Sequence, residues 1–321
     1  MTTTTRPAQS SLTDRLMPRE VTGWVRATAW ASLLANALLI VTGGAVRLTG
    51  SGLGCPTWPR CTDASWTNTP AMGLHGYIEF GNRTLTLLLV LIAVLTFLAV
   101  LRLRDRHPAY LRIAVAIAVL IIVQAVVGGI TVRTGLNPWI VGIHFVLSSL
   151  IVALAAVLVN RTRRASLEEV AVAERRDQVT GQQARRARVL GVVIVVSAGL
   201  AIYLGTLVTG TGPHSGDAAV VARHSFNPYW ITRLHAAPVY VLVAATVAAV
   251  FLARRDAWPA PVKRVLALLA VLVVAQGLLG YYQFFNNVPA LAVALHMAGS
   301  AAIAAVATMA AEKLFAVSAP R

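Results

Sequence analysis

Four histidines carry the first chemical signal in this sequence: His75, His144, His235 and His296. Each falls within or at the edge of an apolar segment, where an ionisable group is costly and reads as functional by default. Two imidazoles on facing helices of a four-helix bundle can supply both axial ligands of a heme iron, and neutral imidazole costs less in lipid than a charged ligand. A plainer reading gives each histidine an interhelical hydrogen bond, and for a lone histidine that reading has the better odds. Several histidines at one depth reverse those odds. His107 and His224 fall in loops and are read as solvated. His214, in Thr211-Gly212-Pro213-His214-Ser215-Gly216-Asp217, lines the mouth of a site or only makes a turn.

Two further groups of residues can do chemistry. Cys55 and Cys61 are the only cysteines, separated by Pro56-Thr57-Trp58-Pro59-Arg60. They can close a small disulfide loop, as a structural staple or as a redox pair. The pattern is not Cys-x-x-Cys-His, which argues against covalent heme attachment. In His75-Gly-Tyr-Ile-Glu79-Phe-Gly-Asn82-Arg83, helical spacing puts His75, Glu79 and Asn82 on one face. Glu79 with Arg83 four residues later reads either as a helix-end ion pair or as a carboxylate facing a low-dielectric cavity, suited to proton transfer.

The elements that position these residues follow from hydropathy. Of the 321 residues, 57% are hydrophobic and 12% charged, against about 25% charged in a soluble domain. Charge-free windows run over 27–46, 84–101, 113–132, 134–160, 189–216, 234–253 and 265–311. A span needs roughly 20 apolar residues, so the last window holds two, with a turn at Tyr281–Pro289. Eight helices are expected, near 24–46, 76–103, 109–132, 138–160, 188–209, 231–253, 262–283 and 289–314. The fold class is all-α integral membrane. The first span is too long for an ordinary cleaved signal, and seven more follow it.

With the N-terminus inside, 22 of the 28 Lys and Arg residues fall on inner segments and 6 on outer ones. That asymmetry puts both termini in the cytoplasm and explains the net charge of +16 as topology, which excludes a nucleic-acid role. The division expected is a disordered N-terminus at 1–23, a four-helix half at 24–160, a cytoplasmic linker at 161–187, a second four-helix half at 188–314 and a tail at 315–321. The halves read as a repeat. Leu48-Thr49-Gly50-Ser51-Gly52 resembles Val208-Thr209-Gly210-Thr211-Gly212, and Gln124/Gln276, Gly128/Gly280 and His144/His296 are each 152 residues apart. Both halves then have one orientation, related by a pseudo-two-fold axis along the membrane normal, unlike an inverted transporter repeat. All four histidines start even-numbered helices and share one depth, near the outer face.

Here the residues resemble a known family. Gly43-Gly44-Ala45-Val46-Arg47-Leu48-Thr49-Gly50-Ser51-Gly52-Leu53-Gly54-Cys55-Pro56, then Trp58-Pro59 and Cys61, closely resembles the signature of bacterial heme A synthases. Ile78-Glu79 through Arg83, Gly210-Thr211-Gly212-Pro213-His214 and the histidines of the fourth, sixth and eighth spans match as well, so the likeness covers about residues 24–314. The resemblance implies oxidation of the C8 methyl group of heme O to the formyl group of heme A, by successive hydroxylations with water-derived oxygen and dehydration of a gem-diol. It implies heme b as cofactor in the C-terminal half, on His235 and His296. It implies the substrate heme in the N-terminal half, with His144 as ligand, Glu79 as catalytic carboxylate and Cys55/Cys61 as the outer cysteine pair. It implies a multi-pass protein of the cell membrane acting near the extracytoplasmic face. Heme O synthase and cytochrome oxidase assembly factors are candidate partners.

One departure stands out. The family pattern in the second span is Glu-x-x-His-Arg, whereas this chain has Glu79-x-x-Asn82-Arg83. Asn82 precedes His144 by 62 residues, close to the 61 between His235 and His296, while His75 precedes it by 69. Asn82 therefore takes the expected ligand position, and asparagine is a poor heme ligand. His75 lies two turns further out, roughly 10 Å along the helix. Either His75 serves with a heme seated higher, or His144 holds the substrate alone. Arg47, Arg83 and Arg233 are candidate propionate partners by charge and depth. Two other functions compete with the enzyme: a non-catalytic b-type cytochrome or heme carrier, and a transporter. The Gly-rich Cys motif with Glu79 favours the enzyme, and the paired histidines disfavour transport.

Overall fold

Prolines and asparagine caps set where the helices begin. Pro108, Pro138 and Pro228 each open a helix, where the missing N–H costs nothing. Asn227 Oδ1 accepts from the backbone N–H groups of Tyr229 and Trp230 at 3.0 and 3.3 Å, and Asn137 Oδ1 accepts from Trp139 N–H at 3.0 Å. The structure, a computed structural model, describes residues 11–164, 181–214, 216–217 and 221–318. Eight long helices are described: α1 (Gly23–Leu48), α2 (Gly73–Leu101), α3 (Pro108–Arg133), α4 (Pro138–Arg164), α5 (Gly181–Thr211), α6 (Pro228–Arg255), α7 (Ala260–Phe285) and α8 (Ala290–Ser318). Each is long and apolar enough to cross a bilayer. Leu87, Ile122, Val271, Leu278 and Leu295 point outward from the spans. An apolar outer surface on eight such helices is that of a multi-pass membrane protein.

Several helices run past the expected ends. Of the segment 1–23, residues 1–10 lie outside the described residues. Leu12–Leu16 forms a helical turn capped by Ser11. Of the segment 161–187, the first four residues continue α4 and 181–187 begin α5, while 165–180 lie outside the described residues. The expected tail at 315 is helical through Ser318.

The helices pack as two groups of four, each a closed ring in which a helix touches its sequence neighbours and the first touches the fourth. In one ring Leu33, Ile117, Ile151 and Leu158 are buried, and in the other Ile194, Leu242, Leu266 and Leu314. The rings meet where α8 lies on α1 and α4, and α4 on α5. Glycine permits this approach. A Cβ at Gly44 would lie 3.0 Å from Met297 of α8, and one at Gly142 would lie 3.0 Å from Thr206 Oγ1 of α5.

Polar groups clasp the rings at both ends. At one end Arg161 of α4 donates to Glu312 Oε1 of α8 from Nη2 and Nε, at 2.6 and 3.0 Å, and Asn160 Nδ2 donates to Oε2 at 3.1 Å. At the other end half-buried Arg47 donates from Nε to the His214 carbonyl at 2.7 Å and from Nη2 to the Thr209 carbonyl at 2.9 Å. Gly52 N–H donates to the Gly216 carbonyl at 2.7 Å beside the Ser51–Asp217 bridge.

Candidate functional site

His235 sits two turns into α6 and His296 two turns into α8. Their ring centres are 6.5 Å apart, with the planes at 72°. Two imidazoles sharing one iron need about 2 Å from each nitrogen to the metal and about 1 Å more to each ring centre, roughly 6 Å in all. His235 Nδ1–H donates to the Ala201 carbonyl of α5 at 2.9 Å. That bond fixes the tautomer and leaves the Nε2 lone pair for a metal, the arrangement that orients metal-binding histidines generally. The donor set and spacing fit a six-coordinate heme iron. Among the described residues no three His, Cys, Asp or Glu side chains gather as they would around a bare metal ion.

The neighbours make room for these rings. A Cβ at Gly205 would lie 3.2 Å from His235 Cε1, and one at Gly280 would lie 3.6 Å from His296 Cε1. Gln276 of α7 donates from Nε2 to the His296 carbonyl at 2.9 Å, crossing directly over Gly299, where a Cβ would meet it at 2.0 Å.

His144, two turns into α4, has a corner of the same parts. Gln124 of α3 donates from Nε2 to the His144 carbonyl at 2.8 Å and also bonds Ser148 Oγ. A Cβ at Gly128 would lie 3.1 Å from His144 Cε1. His144 Nδ1 and His296 Nδ1 are both buried without a partner. Asn82, on α2, is half-buried, and its Oδ1 is buried and unpartnered.

Glu79 pairs with Arg83 four residues on, as one of the two expectations had it, and also holds the Cys55 backbone. Its Oε1 accepts from Arg83 Nη2 at 2.6 Å and Nε at 3.1 Å, and its Oε2 accepts from Cys55 N–H. The side chain is 7% exposed, so this is a buried ion pair, not a loose one at a helix end. Arg83 also donates to the carbonyls of Cys55 and Thr57, at 2.9 and 3.0 Å. Glu79 and Arg83 thus bind the Cys55–Cys61 loop, which is closed by a disulfide. From that loop Trp58 lies on α3 at Gly129, where a Cβ would come within 2.3 Å of the indole.

His75 is exposed, and its Nδ1 hydrogen-bonds with Ser51 Oγ at 2.9 Å. Its carbonyl lies under Gly54, where a Cβ would be 2.2 Å away. It is a loop-holding residue in this arrangement. The arginines expected near propionates have other partners. Arg47 and Arg83 donate to backbone carbonyls as above, and Arg233 stacks on Tyr229 at 3.9 Å.

Of the loop histidines, His224 departs from expectation, and His214 is found at a turn. His224 is buried, with its ring edge-on to Trp139 at 4.4 Å, because Trp139 reaches it from the start of α4. His214 Nε2–H donates to the carbonyl of Val288 at 2.9 Å. Val288 has φ of 56°, a strained value for a β-branched residue, so His214 braces the turn between α7 and α8. Neither role carries a short-range sequence signal, since each partner arrives from a distant helix end.

The fold and site define an eight-span, all-helical membrane protein with two histidine corners at one end of paired four-helix rings. A family model described as cytochrome oxidase assembly protein matches residues 26–218, and the chain belongs to that family. Curated relatives include proteins named heme A synthase. That of Lysinibacillus sphaericus is 28% identical over 133 residues, covering 41% of this chain and 43% of the relative. That of Geobacillus thermodenitrificans is 28% identical over 149 residues, 45% and 46%. That of Bacillus licheniformis is 30% identical over 130 residues, 39% and 40%. The chain matches less than half the length of these relatives. Glu79, Asn82, the cysteines and His144 lie inside the family match, and His235 and His296 lie beyond it.

Proposed function

We propose that this protein is a heme A synthase, oxidising the C8 methyl group of heme O to a formyl group, with heme b as its resident cofactor. The observation that carries the reading is the facing pair His235 and His296, with the His235 tautomer set by Ala201. In this reading His235 and His296 hold heme b, which supplies one-electron transfer. His144 holds the substrate heme in the ring formed by α1–α4. Glu79 is the catalytic carboxylate, held by Arg83 beside the Cys55–Cys61 loop. The rings are related by a pseudo-two-fold axis, and the matched Gln124–His144 and Gln276–His296 bonds support it. Both termini are cytoplasmic in the cell membrane, with the site near the outer face; the 22-to-6 division of basic residues supports that orientation. The disulfide agrees with an oxidising outer side.

A second reading, a non-catalytic b-type cytochrome or heme carrier for oxidase assembly, draws on one observation: both Glu79 oxygens are already engaged. The test is expression in a host that makes heme O but not heme A, followed by heme extraction. Heme A that appears with the wild-type chain and disappears with Glu79→Ala supports the enzyme. Bound heme b without heme A supports the cytochrome. A purified protein that carries no heme overturns both.

A further inference from the structure

The two histidine corners share a glutamine, a glycine and a histidine at matched positions, and differ in what faces the histidine. Each has a glutamine on the preceding helix donating to the histidine carbonyl, across a separation of 20 residues. Each has a glycine four residues after that glutamine, facing the imidazole Cε1. In the α5–α8 ring, the diagonal helix α6 presents His235 to His296. In the α1–α4 ring, the diagonal helix is α2, and the position that stands to His144 as His235 stands to His296 is Asn82, 62 residues before it.

Asn82 has the features of a group with a missing partner. Its Oδ1 is buried and makes no hydrogen bond, which costs free energy unless something fills that role. An amide cannot replace imidazole on iron, but it can accept from or donate to a small polar molecule. His75 cannot step in. Its ring is exposed and hydrogen-bonded with Ser51, its carbonyl is packed under Gly54, and it lies roughly 10 Å further along the helix.

We infer that the α1–α4 ring binds heme through His144 alone, and that the face toward Asn82 is left for a small exogenous ligand hydrogen-bonded to the Asn82 amide. This rests on the reading of that ring as the substrate-heme site. The protein would then hold two unlike hemes. The one held by His235 and His296 would have an imidazole on each side. The one on His144 would have a single imidazole and one face left for the small ligand. For an enzyme that takes its oxygen from water, Asn82 would be a positioning residue for that water.

The full-length protein, purified in detergent and loaded with iron protoporphyrin IX as the stand-in substrate, gives a direct test. Bound heme is counted, and carbon monoxide binding to the dithionite-reduced protein is followed by difference spectroscopy. The expected result is two hemes, one of which binds carbon monoxide. His144→Ala should abolish the carbon monoxide signal while leaving the low-spin spectrum of the other heme. Asn82→His should convert the open heme to a low-spin form that no longer binds carbon monoxide. Asn82→Leu should keep carbon monoxide binding but shift the bound C–O stretch, because the amide no longer meets the ligand. Two hemes with neither binding carbon monoxide would overturn the inference and leave the substrate-site reading standing. A single heme in both wild type and Asn82→His would overturn the two together.

Discussion

Arg83 delivers two N–H groups to a single oxygen of Glu79, at 2.6 and 3.1 Å, while the other oxygen accepts from the Cys55 backbone. The pair therefore joins the start of α2 to the disulfide loop. Removing one partner of a buried pair leaves the other uncompensated and costs about 3 kcal/mol or more. Arg83→Ala is expected to lower the thermal midpoint in detergent and to speed alkylation of the cysteines under mild reductant. Glu79→Gln keeps a hydrogen-bonding oxygen and should disturb the loop less, yet abolish heme A formation. If Glu79→Gln forms heme A at the wild-type rate, the carboxylate is a loop anchor only.

The disulfide itself closes a short loop, with the cysteines six residues apart. Loop-closure entropy for so small a ring predicts about 2 kcal/mol of stabilisation. Cys55→Ser with Cys61→Ser should lose about that amount and, if His235 and His296 hold heme b as proposed, leave its low-spin spectrum intact, since they lie on other helices. Gly129→Ala should free the same loop by another route, because its Cβ would overlap the Trp58 indole. Hydrogen exchange over residues 55–61 would report both. Unchanged protection in Gly129→Ala would mean that Trp58 does not hold the loop down.

If His235 and His296 hold heme b as proposed, the spectrum should depend on their neighbours too. His235→Ala or His296→Ala should remove the low-spin heme b signal, and an unchanged spectrum would defeat the assignment. Gln276→Leu removes the donor to the His296 carbonyl and should weaken heme retention by a smaller factor, of order 10, as losses around metal ligands do. Gly299→Ala should mimic it, since the methyl group would fall on the Gln276 amide. Heme-to-protein ratio after size-exclusion chromatography distinguishes these outcomes.

The spans and the histidine corners were legible because they rest on local signals: charge-free windows, and residues at fixed offsets such as Gln124 and His144. Helix ends were less so. Reading apolar residues alone stops α4 at 160, but the helix continues because Arg161 finds Glu312 of α8. The same limit hid the fate of the arginines near the histidine end. Arg47 reads as a free charge near heme, yet its partners are carbonyls more than 160 residues away. Glu79 was legible as half of an i, i+4 pair, but not as a ligand of the Cys55 backbone, because that contact depends on how the loop folds back.

Burial of His224 makes a pH prediction possible at the end of the rings that carries the histidine corners. The residue is 8% exposed, its ring packed against Trp139 and Phe226, and its Nε2 has no partner. Burial, and secondly the positive charge of Arg47, hold its pKa below the ordinary value, which is about 6.5. Above that value His224 is neutral in both the folded and unfolded chain and exacts no penalty. As pH falls through it, the unfolded chain takes up a proton that the folded chain does not, so stability drops until the folded-state pKa is reached. His224→Phe should fill the same space with no titrating group. Thermal unfolding in detergent at pH near 7.5 and near 5.5 checks this: the wild-type midpoint should fall more between the two conditions than that of the variant. Equal falls would show that His224 protonates freely in the folded protein, and that its packing against Trp139 opens at low pH without cost.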